Sequence, residues 1–342
     1  MNAARVQLPE LETEQRLYEI RSQAEEQGKV KARGIRPSGA PFPVASVETG
    51  YYGIPLLKRP SWTWEIPLYF FVGGAAGASA VVGAIANYTG ADRRLVRDAR
   101  WIAAAGSIIS PALLISDLGK PERFYNMLRV FKAQSPMSVG VWTLLGFSSG
   151  SVAAAFAGLL RERYGESLPI RVLENAGETA SLLFGLPFSN YTGVLIGATA
   201  IPAWHENAGV LPLHFGMSGL ASSVGLLELM GHRRSRALQM LGLGAAVFEC
   251  WEGWLLESRK STALEPLKRG ASGGIIRIGG ILSGPLPVVL RIASLVSGRH
   301  STRLRKWAAM SAVAGSLLTR IGWLRAGHAS AQDWRESLKI PH

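Results

Sequence analysis

Glu65 and Tyr69 stand four residues apart in SWTWEIPLYFF, so a helix would place an acid and a phenol on one face, one turn apart. At the edge of an otherwise uncharged run such a pair is costly unless it has a partner or a task, and the chemistry it offers is proton exchange beside a hydrogen-bond donor. Asp117 opens SDLGKPERFYNMLRVFKAQSPMS, where Gly119 and Pro121 turn the chain and Glu122, Arg123 and Arg129 suit a short interfacial helix that Pro136 closes. That stretch is either a satisfied loop tying two helices together or a docking surface in which Asp117 guides protons. Pro187 precedes Ser189, Asn190, Tyr191 and Thr192 in GLPFSNYTGVLIGATAIPAW. Either Ser and Thr fill the hydrogen bonds the proline frees, or a broken helix lines a cavity and Tyr191 donates to a bound carbonyl. Glu249 and Glu252 share a face of a later segment, where an ion pair with Arg277 or Arg291 is the default and a proton path the sharper alternative.

Other chemistries are poorly provided for. A b-type haem needs two axial imidazoles from facing helices. Of the six histidines, His205 and His214 flank a turn, His232 and His300 sit in basic loops, and His328 and His342 lie near the C-terminus. The single cysteine, Cys250, allows no intramolecular disulfide and no iron–sulfur cluster held by this protein alone. No P-loop, Ser/His/Asp arrangement or metal-spaced cluster is present, so neither a catalytic residue nor a metal ligand is expected. The net charge of +13 comes from short basic runs between apolar segments, a distribution that orients membrane proteins, and no nucleic-acid partner is expected.

The elements that must hold these residues are membrane helices. Ile66 to Ala86 carry no charge, and about 20 helical residues cross the roughly 30 Å hydrocarbon core of a bilayer. Trp62, Trp64 and Tyr69 mark the interface at its start, while Gly73, Gly74 and Gly77 clear one face for a neighbouring helix. Further apolar segments at 99–116, 138–160, 179–201, 208–230, 237–256, 273–296 and 305–325 complete an all-α membrane protein, an eight-transmembrane-helix bundle over residues 61–330. A polar N-terminal tail, residues 1–60, has one amphipathic helix over LPELETEQRLYEIRSQAEEQG and an extended Pro/Gly-rich run, and no cleavable signal peptide is expected. Residues 331–342 form a short C-terminal tail. Loops after the odd-numbered helices carry fourteen Lys and Arg, those after the even-numbered ones eight, which places both termini outside. In either orientation, eight crossings bring Glu65, Tyr69, Asp117 and the turn carrying Trp204, His205, Glu206 and His214 to one membrane face.

WEIPLYFFVGGAAG, DLGKPERFYNMLRVFKAQSPMS, SNYTGVLIGATAIPAW and LPLHFGMSG, in this order and spacing, make the sequence from about Tyr51 to Asp333 resemble the NrfD/PsrC family, the membrane subunits of polysulfide-reductase-like respiratory complexes. The resemblance implies an eight-helix subunit of the cell's inner (plasma) membrane, without haem or iron–sulfur cluster of its own, that binds menaquinone or ubiquinone near one face. It further implies a docked four-cluster ferredoxin-like iron–sulfur subunit and, behind it, a molybdopterin or multihaem catalytic subunit. The quinone contacts would fall on Glu65, Tyr69, Trp64, Asp117, Tyr191 and His205. Tyr191 corresponds to the family's fourth-helix tyrosine and Asp117 to its acidic residue before the loop glycine. Glu65 and Tyr69 replace the amide and histidine found four apart in polysulfide-reductase-type members. Tyr69 and Tyr191 would then hold the ring oxygens, Glu65 or Asp117 would exchange protons, and Trp62 or Trp64 would line the ring. The alternatives to this reading are a non-redox anchor, a proton-path subunit, or a transporter with paired broken helices.

Overall fold

The computed structural model describes residues 57–298 and 300–333, with Glu19, Ser22 and Gln23 ahead of them. The amphipathic helix expected near the N-terminus lies outside the described residues except for those three, which are helical.

Every described element is helical. α1 (Glu65–Tyr88) and α2 (Arg93–Asp117) are followed by a 3-10 turn and the short α3 (Phe124–Arg129), then by α4 (Pro136–Tyr164) and α5 (Leu168–Gly197). A four-residue α6 (Pro202–His205) leads to α7 (Leu211–Leu227), which ends in a π turn, and to α8 (Arg236–Ser258). After α9 (Glu265–Lys268) come α10 (Gly270–Ser283), α11 (Pro285–Val296) and α12 (Ser301–Gln332). Helix therefore lies over all eight apolar segments. Four stretches are long and apolar enough to cross a membrane: α1, α2, α4 and the rod made by α10 with α11.

The helix starts follow ordinary capping chemistry. The Asp92 side chain accepts from the Arg94 amide at 3.0 Å, which starts α2 six residues ahead of its apolar run. Ser135 and Ser235 cap α4 and α8 in the same way. α5 also begins early, at Leu168, because its polar first turns have partners. Arg100 of α2 pairs with Glu174 and, at 2.8 Å, with Glu178, and Asn87 of α1 donates to Glu178 at 2.7 Å. A carboxylate so matched can lie below the membrane surface, and a hydropathy reading excludes it.

α1 is the centre of the bundle. Its apolar window is 72% buried against 33–39% for the other three candidate spans, which keep a face for lipid. It packs on α2, α5 and α7. The approach is close where side chains vanish: a Cβ on Gly77 would stand 2.7 Å from the Gly185 carbonyl oxygen of α5, and one on Gly219 of α7 would stand 2.8 Å from that of Gly74. In hydrocarbon no water is released when apolar helices meet, so such backbone approaches carry much of the association.

The late charged residues differ from their expected pairing. Arg291 makes a bidentate pair with Glu228 at 2.8 and 3.0 Å, and Arg305 reaches the same carboxylate at 2.5 Å. Arg277 pairs with Glu257 at the surface. Arg320 of α12 donates to the Ser218 hydroxyl at 2.9 Å and the Phe215 carbonyl at 3.2 Å. Glu249 and Glu252 thus have neither Arg277 nor Arg291 and turn instead to His214, which lies buried in α7 rather than at the interface.

Candidate functional site

The N-terminal end of α1, the C-terminal end of α2, α3, and the adjacent parts of α4 and α5 enclose a crevice of about 100 Å³. Trp62, Ile66 and Tyr69 line it from α1 and the segment before it, Asp117 from α2, Met127 from α3 and Tyr191 from α5. Tyr69 is 1% exposed and its ring lies against Phe70 and Phe188. Among the described residues no group forms a hydrogen bond with its hydroxyl. A phenol in such surroundings forgoes a bond worth about 1 kcal/mol unless a ligand or water supplies it.

Asp117 sits at the polar edge of the crevice. The Thr63 hydroxyl stands between two carboxylates, donating to Glu65 and lying 3.5 Å from Asp117 Oδ1. One hydroxyl has one proton, so the Thr63 side chain satisfies Glu65, while Asp117 accepts the Thr63 backbone N–H and keeps acceptor capacity on its remaining lone pairs. Glu65 faces Thr63 rather than Tyr69, despite their shared register.

Tyr191 donates to the Pro136 carbonyl at 2.6 Å, so the proton expected for a bound carbonyl is already committed and the phenol serves as wall and acceptor. Its ring fits α4 only because residue 140 is glycine: a Cβ there would stand 1.9 Å from Tyr191 Cζ. α5 runs unbroken through Pro187, with Ser189 and Asn190 both donating to the Leu186 carbonyl at 2.8 Å. The cavity-lining break expected there is absent, and the side-chain bonds of Ser189 and Asn190 go to Leu186 rather than to the Leu183 carbonyl that Pro187 frees.

Two expected site residues stand apart from the crevice. Trp64 is 67% exposed at the N-cap of α1, and it is Trp62 that lines the crevice, stacked on Trp204 at 5.6 Å. His205 ends α6 exposed and takes no part in the lining. Met127, Met137 and Gly140 belong to the lining and carry no polar signature in sequence; only the placement of α3 against α4 brings them in.

A second polar group lies on the far side of α1. His214, Glu249 and Glu252 offer ligand atoms within 4.8 Å of one another, all buried. Their sequence positions are too dispersed to read as a metal motif, although LPLHFGMSG and the three-residue spacing of the acids each put a polar group in apolar surroundings. Trp323 Nε1–H donates to His214 Nε2 at 3.2 Å, so that nitrogen carries no proton and the imidazole proton sits on Nδ1, facing Glu252. This tautomer favours a shared proton over a metal at Nδ1.

Residues 56–242 match the family described as polysulphide reductase, NrfD, a stretch that includes the whole crevice lining from Trp62 to Leu195. Over 302 aligned residues the protein is 24% identical to the C subunit of polysulfide reductase from Wolinella succinogenes, an alignment covering 78% of the present sequence and 94% of that subunit. With its apolar helices, the match marks an integral membrane protein. Because the family match takes in more than half of the sequence and the crevice with it, the chain belongs to the NrfD family.

Proposed function

We propose that this protein is the quinone-reactive membrane subunit of a respiratory oxidoreductase complex, binding menaquinone or ubiquinone, as quinone or quinol, in the crevice and exchanging electrons with an iron–sulfur subunit docked over it. One observation carries the reading: a fully buried phenol without a hydrogen-bond partner among the described residues, Tyr69, lines an apolar slot whose edge bears a carboxylate with acceptor capacity, Asp117. Relatedness to a lettered subunit of polysulfide reductase supports the complex, since that name denotes one component of several.

Quinol oxidation supplies two electrons and two protons. Tyr69 Oη donates to one ring oxygen, and Asp117 accepts the two protons in turn, passing each towards Glu65 through the Thr63 hydroxyl, while the two electrons leave to the docked iron–sulfur subunit. Trp62 and Ile66 exclude water from the ring and lower the local dielectric. The crevice is smaller than the roughly 300–1,000 Å³ of sites that enclose a drug-sized ligand, so it takes the ring with its two oxygens while the tail of the molecule stays outside. We place the complex in the cell's inner membrane, with eight crossings over residues 61–330, tails at 1–60 and 331–342, and a four-cluster ferredoxin-like protein relaying to a molybdopterin or multihaem catalytic subunit.

A bare anchor is the rival reading, and the His214–Glu249–Glu252 group gives a proton-path subunit its own footing. Transport through paired broken helices has less support: α5 is continuous, whereas the α10–α11 rod breaks at Gly284. Redox titration of the purified complex with a quinone analogue separates anchor from redox subunit. Analogue-sensitive reduction of the complex by quinol is expected; electron transfer indifferent to the analogue would leave the anchor.

A further inference from the structure

On the opposite side of Tyr191 from the crevice, a second hollow of about 300 Å³ lies between α4 and α5. Pro136, Val139 and Thr143 line it from α4, and Pro187, Tyr191 and Val194 from α5. Pro187 and Val194 are exposed, so this hollow opens where hydrocarbon would lie. Tyr191 lines both spaces.

We propose that this α4–α5 groove holds the isoprenoid tail of the quinone whose ring the crevice takes, with the Tyr191 side chain as the partition between tail and ring. The inference rests on the quinone reading above. A slot of about 100 Å³ has no room for a prenyl tail, so the tail leaves through a wall. The Trp62 side is closed by the stacked Trp204, and the Asp117–Thr63 edge is polar. On the α4–α5 side, the Tyr191 ring is shared by crevice and groove, seated in the Gly140 notch and pinned by one hydrogen bond to the Pro136 carbonyl. Rotation of that ring costs one bond and joins an apolar groove open to lipid with the ring slot. A bilayer quinone then slides in sideways without its tail passing through water.

A prenyl tail moving from lipid into the groove gains contact rather than release from water, so the effect is one of fit. Val194→Trp fills the groove from α5 and Thr143→Trp fills it from α4; neither residue lines the crevice. Steady-state turnover of the assembled complex would be measured with two quinols that share one ring, the first bearing a long isoprenoid tail and the second none. The ratio of KM for the long-tailed quinol to KM for the tailless one is expected to rise about fivefold or more in at least one variant. An unchanged ratio in both variants, with the tailless quinol still oxidised by the wild type, would overturn the inference and leave the groove to a bilayer acyl group. Failure of the wild-type complex to oxidise either quinol would overturn the quinone reading and this inference with it.

Discussion

Replacing Tyr69 by Phe removes a hydroxyl that no described residue uses, so the fold should keep its stability within about 0.5 kcal/mol while quinol turnover falls about tenfold. Thermal unfolding in detergent beside quinol oxidation by the complex would show the split; equal losses in both would make Tyr69 a packing residue. Gly140→Ala acts from the other wall: its methyl must displace the Tyr191 ring, at a cost of about 1–3 kcal/mol, and adding Tyr191→Phe should not relieve it because the clash involves ring carbons as well as the hydroxyl. The denaturation midpoints of the single and double variants check this. Glu65, Tyr69, Asp117 and Tyr191 were legible as candidates because charge or phenol inside apolar sequence is conspicuous. Their roles were less so. Glu65 turns to Thr63, and Tyr191 spends its proton on Pro136, both decided by neighbours a few ångströms away that periodicity does not encode. Trp64 and Trp62 are two residues apart and equally aromatic; only the start of α1 sends one outward and stacks the other on Trp204.

At the scale of elements, buried ion pairs fix which helices meet. Arg291 of α11 and Arg305 of α12 converge on Glu228 at the end of α7, with exposures of 1%, 4% and 0%. Arg291→Met should destabilise the protein by about 3–5 kcal/mol, since Glu228 loses its bidentate partner, and the combined Glu228→Gln, Arg291→Met variant should recover part of that loss. Thermal unfolding of the single and double variants measures it, and additive losses would contradict a coupled pair. Such pairs explain why helix positions were readable and helix partners were not. Apolar runs and caps located the helices to within a few residues, except at the end of α12, which runs on to Gln332, and at the starts of α2 and α5, where charges matched across the bundle extend the helices beyond their apolar cores. Which acid takes which arginine depends on interhelical geometry, and Glu249 and Glu252 accordingly found His214 rather than Arg277 or Arg291.

For the whole molecule, the crevice lies where α1 starts and α2 ends, so the proposed function puts its chemistry and its docked partner at one membrane face. Lys120, beside the crevice, and Arg163, at the far end of α4, should lie on opposite sides of the membrane. After Cys250→Ser, cysteines placed singly at these two positions should react with an impermeant maleimide in oppositely oriented vesicles, and labelling of both from one side would refute the eight-crossing arrangement. The central claim, that a ring with two oxygens sits among α1, α2, α4 and α5, is tested most directly by a photoreactive quinone analogue bound to the assembled complex and mapped by peptide mass. The label should fall on the stretches around Ile66–Tyr69, Met137–Val141 or Tyr191–Leu195 and be displaced by excess quinone; displaceable label confined to α8 through α12 would contradict it.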